Sequence, residues 1–238
     1  MRRNLIIKML TLCAAFCLCA AGLAAAEAAG GQSAARLLYQ GHASIRIVTG
    51  EGKVVYIDPY AGEGYELPAD LILVTHGHSD HNKVELIKQR AGGCRVITHA
   101  EALAGGEHKS FDLGYVSVRA VEAGNNPNHD VSKCVGYVLT FSDGTSVYFS
   151  GDTSTTKQMP ELAALKLDYA FFCCDGVFNM GAEEASQCAA LVKAKQSVPY
   201  HTAVPRDTDF SMERAEEFKA DNRLIIEKGQ EITLKHSR

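Results

Sequence analysis

Leu71-Ile72-Leu73-Val74-Thr75-His76-Gly77-His78-Ser79-Asp80-His81 decides what kind of molecule this chain makes. Its first four residues form a continuous apolar run, as expected of a strand buried on both faces. Ligand-type side chains follow at once. His76 and His78 lie two apart in an extended segment, so both imidazoles point the same way and can share one cation. Asp80 and His81 come next, on the turn toward the following element, and can reach a second cation close by. Imidazole and carboxylate are ligands for Zn, Mn or Fe. The competing reading is a polar loop that happens to be rich in histidine. Against it, further ligand types recur where they are needed elsewhere in the chain.

Those residues are His129, Asp152 and His201, each at the end of a strand-like run or in the loop beside one. Sites assembled from loops at one sheet edge have this layout. Ser44–Val48 and Lys53–Ile57 read as a hairpin around Thr49-Gly50-Glu51-Gly52. Val135–Phe141 and Ser146–Phe149 flank Asp143-Gly144, a strong hairpin signal. Arg95–Thr98, Val116–Val121, Leu167–Phe172, Ser197–Tyr200, Leu224–Ile226 and Glu231–Leu234 read as further strands. Val84, Leu86 and Ile87 sit in an expected helix, as do Glu183–Ala194 and Ser211–Lys219. Two sheets face to face with helices outside would bury this pattern.

The chain has 238 residues, 46% of them hydrophobic and 22% charged, an ordinary globular balance. Its start reads as a secretory signal. Arg2, Arg3 and Lys8 precede an apolar run from Leu10 to Leu23, and Ala24-Ala25-Ala26 offers a cleavage site with later choices up to Ala29. A retained anchor is the alternative, but the run is short and Ala-rich, with no polar stop-transfer flank. The expected organisation is a signal peptide over residues 1–29 and one domain over 30–238. The mature protein is then exported to the periplasm or the exterior, without stable membrane insertion. Loss of Met1–Ala26 leaves 21 basic against 28 acidic residues, so the net charge moves from −4 to −7. With no basic run in the mature chain, nucleic acid is disfavoured as a partner and a small-molecule substrate is expected. Cys94, Cys134, Cys173, Cys174 and Cys188 remain, an odd and scattered set that makes a poor disulfide framework.

The chain resembles the metallo-β-lactamase superfamily, whose signature is H-x-H-x-D-H. Within it, the chain resembles a branch of metal-dependent hydrolases related to ascorbate-phosphate lactonases. The resemblance runs from about Leu37 to Leu234. It is carried also by Gly41-His42-Ala43-Ser44, Ile57-Asp58-Pro59, Ala69-Asp70, Val135-Gly136-Tyr137-Val138, Phe149-Ser150-Gly151-Asp152-Thr153, Asn179-Met180-Gly181-Ala182-Glu183-Glu184-Ala185 and Val198-Pro199-Tyr200-His201. It implies an α/β fold, a four-layer αββα sandwich with the site at one edge. It further implies His76, His78 and His129 on one metal, Asp80, His81 and His201 on a second, and Asp152 bridging. Tyr200-His201-Thr202 departs from the Met-His-Tyr that often ends the last motif, which keeps the histidine but alters the pocket lip. His42 lines the pocket by the same resemblance. His99, His108 and His236 read as surface or outer-layer residues.

The implied function is hydrolysis of a lactone, ester, amide or phosphodiester by water activated by two divalent ions, zinc foremost with Mn or Fe as alternatives. Asp80 is the catalytic candidate, able to shuttle a proton to the leaving group. Asp58, at a strand end, reads either as a partner that orients a ligand histidine or as a turn residue before Pro59. Two other function classes compete. A non-catalytic metal sensor or sequestering module is disfavoured because Asp80 and Asp152 are both present. A di-iron oxidoreductase on the same fold would carry a carboxylate at position 78, where this chain has His78.

Overall fold

A computed structural model describes residues 33–204 and 209–236. The expected signal segment, residues 1–29, lies outside the described residues. In chain order the strands are β1 (Arg36–Gly41), β2 (Ser44–Val48), β3 (Val54–Ile57), β4 (Ala69–Val74), β5 (Arg90–Thr98) and β6 (Ser110–Asp112), followed by β7 (Val116–Glu122), β8 (Val135–Phe141), β9 (Ser146–Phe149), β10 (Tyr169–Cys173), β11 (Gln196–Tyr200) and β12 (Glu231–Thr233). They form two six-stranded sheets, in the orders β12-β1-β2-β3-β4-β5 and β11-β10-β9-β8-β7-β6. Each sheet is mixed. The β3-β4-β5 pairs and the β9-β10-β11 pairs are parallel, and the rest are antiparallel.

The alternation of side chains along β3 shows how the layers arise. Val55 and Ile57 point inward and join Leu71, Leu73, Tyr137, Phe149 and Phe171 in the core between the sheets. Val54 and Tyr56 point outward and pack with Ala69, Ile72 and Ile87 on the far face of the first sheet. From Leu71 to Val74 β4 is apolar because it has apolar neighbours on both faces, whereas Asp70 at its start accepts from Lys53 Nζ and Val54 N–H, both at 2.9 Å. Burial of each such apolar side chain contributes about 1.5–3 kcal/mol. On the outer face of the second sheet lies helix Ala182–Val192, which buries Ala185, Cys188, Ala189 and Val192 at the 3.6-residue period. Among the described residues, no helix is long and apolar enough to cross a membrane.

Two sequence expectations fail locally. Val84–Leu86 forms a single 3-10 turn, not an α-helix. The turn has no side-chain cap and β5 begins at Arg90, so too few residues remain to repay helix nucleation. The outer layer of the first sheet is correspondingly thin, with Tyr65, Leu67 and Val84 packing there beside Ile87. Leu224–Ile226 is not a strand either. It meets β11 through one bridge, Ser197 with Arg223, and one further hydrogen bond, Leu224 N–H to Ser197 O at 2.9 Å. β1 and β6 are strands that the sequence patterns did not mark. The five cysteines from Cys94 to Cys188 are all free thiols, and Cys134, Cys173, Cys174 and Cys188 are buried.

The strand order gathers one edge of the sandwich. β3 runs out into Asp58, β4 into Thr75 and His76, β9 into Asp152, β10 into Asp175 and β11 into His201, with the β1–β2 turn supplying His42 and the β7–β8 loop His129. These are the carboxyl ends of parallel strands, where α/β sheets open their ligand crevices. The two sheets are pinned together there. Val135 N–H donates to Thr75 O at 2.9 Å, the Tyr137 hydroxyl to Val74 O at 3.1 Å, and His201 N–H to His42 O at 2.9 Å.

Candidate metal centre

Asp152 is the hub of the edge. It follows Gly151, whose φ of 61° turns the chain sharply off β9, and it is 4% exposed. Oδ1 lies 3.3 Å from His81 Nε2 and 3.4 Å from His201 Nε2, and Oδ2 lies 3.4 Å from His129 Nε2. None of these contacts is a hydrogen bond; among the described residues, Asp152 Oδ1 and the three Nε2 atoms are buried without a hydrogen-bond partner. A bond between such groups would close to about 2.7–2.9 Å. Two atoms that each sit about 2.0–2.1 Å from a tetrahedral ion stand roughly 3.3 Å apart, the spacing seen here. The residues present therefore fit a metal ion.

His76 Nε2 is likewise buried and unpartnered. His76, His78 and His129 can each offer a ligand atom within 4.8 Å of the others, and so can His76, His81 and Asp152, and His42, His81 and His201. The His76 ring lies 4.6 Å from that of His78 and 5.0 Å from that of His129, centroid to centroid. His78 is exposed, at the mouth. Asp80 has a side chain 26% exposed, and its Oδ2 lies 3.4 Å from His42 Nε2. All seven residues expected from the sequence thus gather at this edge, joined by His42. His99 stands beside Gly77, where an added Cβ would approach its ring to 3.5 Å. His236 lies away from the cluster, against Asp168.

What aims the imidazoles inward lies one layer out. Asp58 Oδ1 accepts from Thr75 N–H at 2.8 Å, and Oδ2 accepts from the Thr75 hydroxyl at 2.7 Å and from His81 Nδ1 at 2.9 Å. A carboxylate can only accept, so His81 carries a proton on Nδ1, and in its neutral form the ring presents a lone pair on Nε2. The Thr75 hydroxyl, its proton committed to Asp58, can only accept from His76 Nδ1, 3.1 Å away. His76 thereby takes the same tautomer. One carboxylate orients two rings. Asn126 does the same for His129, with Oδ1 3.1 Å from Nδ1, and Asp175 Oδ2 stands 3.6 Å from His201 Nδ1. Asn179 Nδ2 clamps Asp152 Oδ2 at 2.9 Å and Asp175 Oδ2 at 2.7 Å.

Thr75, Asn126, Asp175 and Asn179 were not singled out from sequence. The available signal was position: Asp175 directly follows an apolar strand run, as Asp58 does. The geometry decides for Asp58 the partner role that sequence left open against a plain turn. Its φ of 45° keeps it a turn residue as well.

The charges divide by partner. Burial pushes His76 far below its ordinary pKa and His42 down to about 4, with neighbouring imidazoles adding to the fall. His129 is lowered for the same reasons. Burial would lower His81 too, but the carboxylates of Asp152 and Asp58 outweigh it and raise the ring well above its usual value. His201 is raised against burial by Asp152. Burial would raise Asp152, but His201 and His81 outweigh it and hold the carboxyl well below the ordinary range. Burial would raise Asp80, but the neighbouring His42 and His81 outweigh it and hold the carboxyl below its ordinary value.

The beta-lactamase superfamily domain family matches residues 36–201, a span that holds the entire cluster from His42 to His201. The chain belongs to the metallo-β-lactamase superfamily. A UPF0173 metal-dependent hydrolase from Thermococcus onnurineus is 30% identical over 228 residues, covering 84% of this chain and 96% of that protein. Another UPF0173 metal-dependent hydrolase, from Myxococcus xanthus, is 30% identical over 204 residues, covering 74% and 73%. Igni18, a metallo hydrolase from Ignicoccus hospitalis, shares the fold with a TM-score of 0.63 at 19% identity, over 86% of this chain and all of that one. This metallo-β-lactamase-superfamily protein is accordingly a metal-dependent hydrolase, built as an α/β sandwich around a His/Asp cluster that could hold metal.

Proposed function

We propose that the protein hydrolyses a small molecule with two divalent ions, zinc foremost and Mn or Fe as alternatives. His76, His78 and His129 would hold one ion and Asp80, His81 and His201 the other, with Asp152 as the ligand they would share. One observation carries the proposal. The two oxygens of Asp152 divide their neighbours, Oδ1 facing His81 and His201 and Oδ2 facing His129, as a bridge requires.

Bound ions supply Lewis acidity, polarising the scissile group and lowering the pKa of the attacking water. The chain supplies the rest. Asp58, Thr75 and Asn126 keep Nε2 lone pairs turned inward. Asn179 clamps Asp152 in place, and His201 and His81 hold it ionised against burial. Asp80, at the mouth and held in its basic form, takes the proton from water and passes it to the leaving group. The substrate carries a lactone, ester, amide or phosphodiester bond. The charged and apolar start of the chain supports export to the periplasm or exterior, with residues 1–29 removed. An intact mass that begins between Glu27 and Gly31 in exported protein would agree.

The decisive test is a panel of lactones, phosphodiesters and β-lactams on metal-reconstituted protein, run with elemental analysis. Two metal equivalents and turnover lost together on chelation are expected. A folded, reconstituted sample that holds no metal would refute the proposal.

A further inference from the structure

His42 is a buried imidazole that the seven-residue ligand set leaves without a role. It sits in the β1–β2 turn with a left-handed φ of 51°. A non-glycine residue there is strained and persists where its surroundings dictate it. They do so here. His42 N–H donates to Asp209 O at 2.6 Å, and its carbonyl accepts from His201 N–H and the Tyr39 hydroxyl, both at 2.9 Å. The backbone is thus held so that the ring enters the cluster.

The ring is 0% exposed, and among the described residues neither nitrogen has a hydrogen-bond partner. Its centroid lies 3.6 Å from that of His201 and 5.2 Å from that of His81. Its Nε2 is 3.4 Å from Asp80 Oδ2, longer than a charge-assisted bond. A buried polar ring with both nitrogens idle is destabilising unless something takes a lone pair. His42, His81 and His201 offer ligand atoms within 4.8 Å of one another. We propose that His42 is a ligand of the second ion, completing a three-imidazole cradle with His81 and His201. The proposal rests on the two-ion function above. Under the alternative, in which His42 only steadies Asp80, both ions bind without it.

The test is His42→Asn in the full chain. Asn tolerates the left-handed conformation best among substitutes with a side-chain amide, and is too short to replace the imidazole. Zn(II) affinities would be measured stepwise by chelator competition on metal-free wild type and variant. The first ion should bind as in wild type, because His76, His78 and His129 are untouched. The second should bind at least about tenfold more weakly, the scale on which support of a metal site acts. Equal affinities for both ions would overturn the proposal. Wild type that binds fewer than two ions would instead overturn the two-ion function, and this inference with it. A readout without mutation guards against a variant that misfolds. Cobalt-loaded wild type should show hyperfine-shifted ring resonances assigned to His42 as well as to His81 and His201. Unshifted His42 resonances beside shifted ones from His81 and His201 would also refute it.

Discussion

Replacing Asp58 by Asn probes how one carboxylate sets the chemistry of two ligands. Asn keeps the size and tolerates the φ of 45° at this position. Its carbonyl oxygen can still accept from Thr75 N–H. Its amide nitrogen, however, replaces the Oδ2 that accepted from both the Thr75 hydroxyl and His81 Nδ1. Two donors now face a donor. Relief requires either that His81 move its proton to Nε2, or that the Thr75 hydroxyl reverse and donate to His76 Nδ1, which pushes the proton of His76 to Nε2. Each outcome blocks a metal-facing lone pair. Loss of such an orienting partner weakens metal binding about 10–100-fold, or about 1.4–2.7 kcal/mol. The metal-free fold should lose about 1–3 kcal/mol, the value of one buried charge-assisted hydrogen bond. Asp58→Ala is less informative, because three stranded donors would cost about 3–9 kcal/mol against a total stability of about 5–15 kcal/mol. Chelator competition gives the affinity, and imidazole nitrogen chemical shifts give the tautomers of His76 and His81. Unchanged affinity with both rings still protonated on Nδ1 would refute control by Asp58.

Three further outcomes are expected. Asp80→Asn should lower turnover about 10²–10⁴-fold with a smaller loss of metal, since the partly exposed side chain carries proton transfer more than packing; near-normal turnover would make Asp80 a bystander. Gly124→Ala should displace the His129 loop, because a Cβ there would lie 2.7 Å from His129 O at a φ of 95°; thermal melting should show a loss of about 1–3 kcal/mol, and metal titration a weaker site at His129. Metal uptake near pH 7 should release about one proton or more, because His81 and His201 are raised above their ordinary values and must surrender a proton to bind; affinity then falls as pH drops through those raised values, and uptake in weak buffer without proton release would contradict it.

Local chemistry in the chain was enough to specify the apolar strand that ends in His76, the hairpins around Gly52 and Gly144, and the candidate ligands His129, Asp152 and His201 at strand ends. Alternation, turn residues and ligand spacing act over a few residues, so they are legible without a partner. Three things were not legible. A short apolar run such as Val84–Ile87 or Leu224–Ile226 has no state of its own, and neighbours left it as a 3-10 turn and a one-bridge contact. β1, which the patterns did not mark, became a strand by pairing with β2 and with β12 from the far end of the chain, register Arg36 with Thr233. The tautomers of His76 and His81 and the place of His42 were decided by hydrogen bonds and ring contacts across two sheets. A lone pair has no preferred direction until a distant donor or acceptor stands beside it, and only the packed sandwich brings Asp58 and Thr75 to the back of those rings.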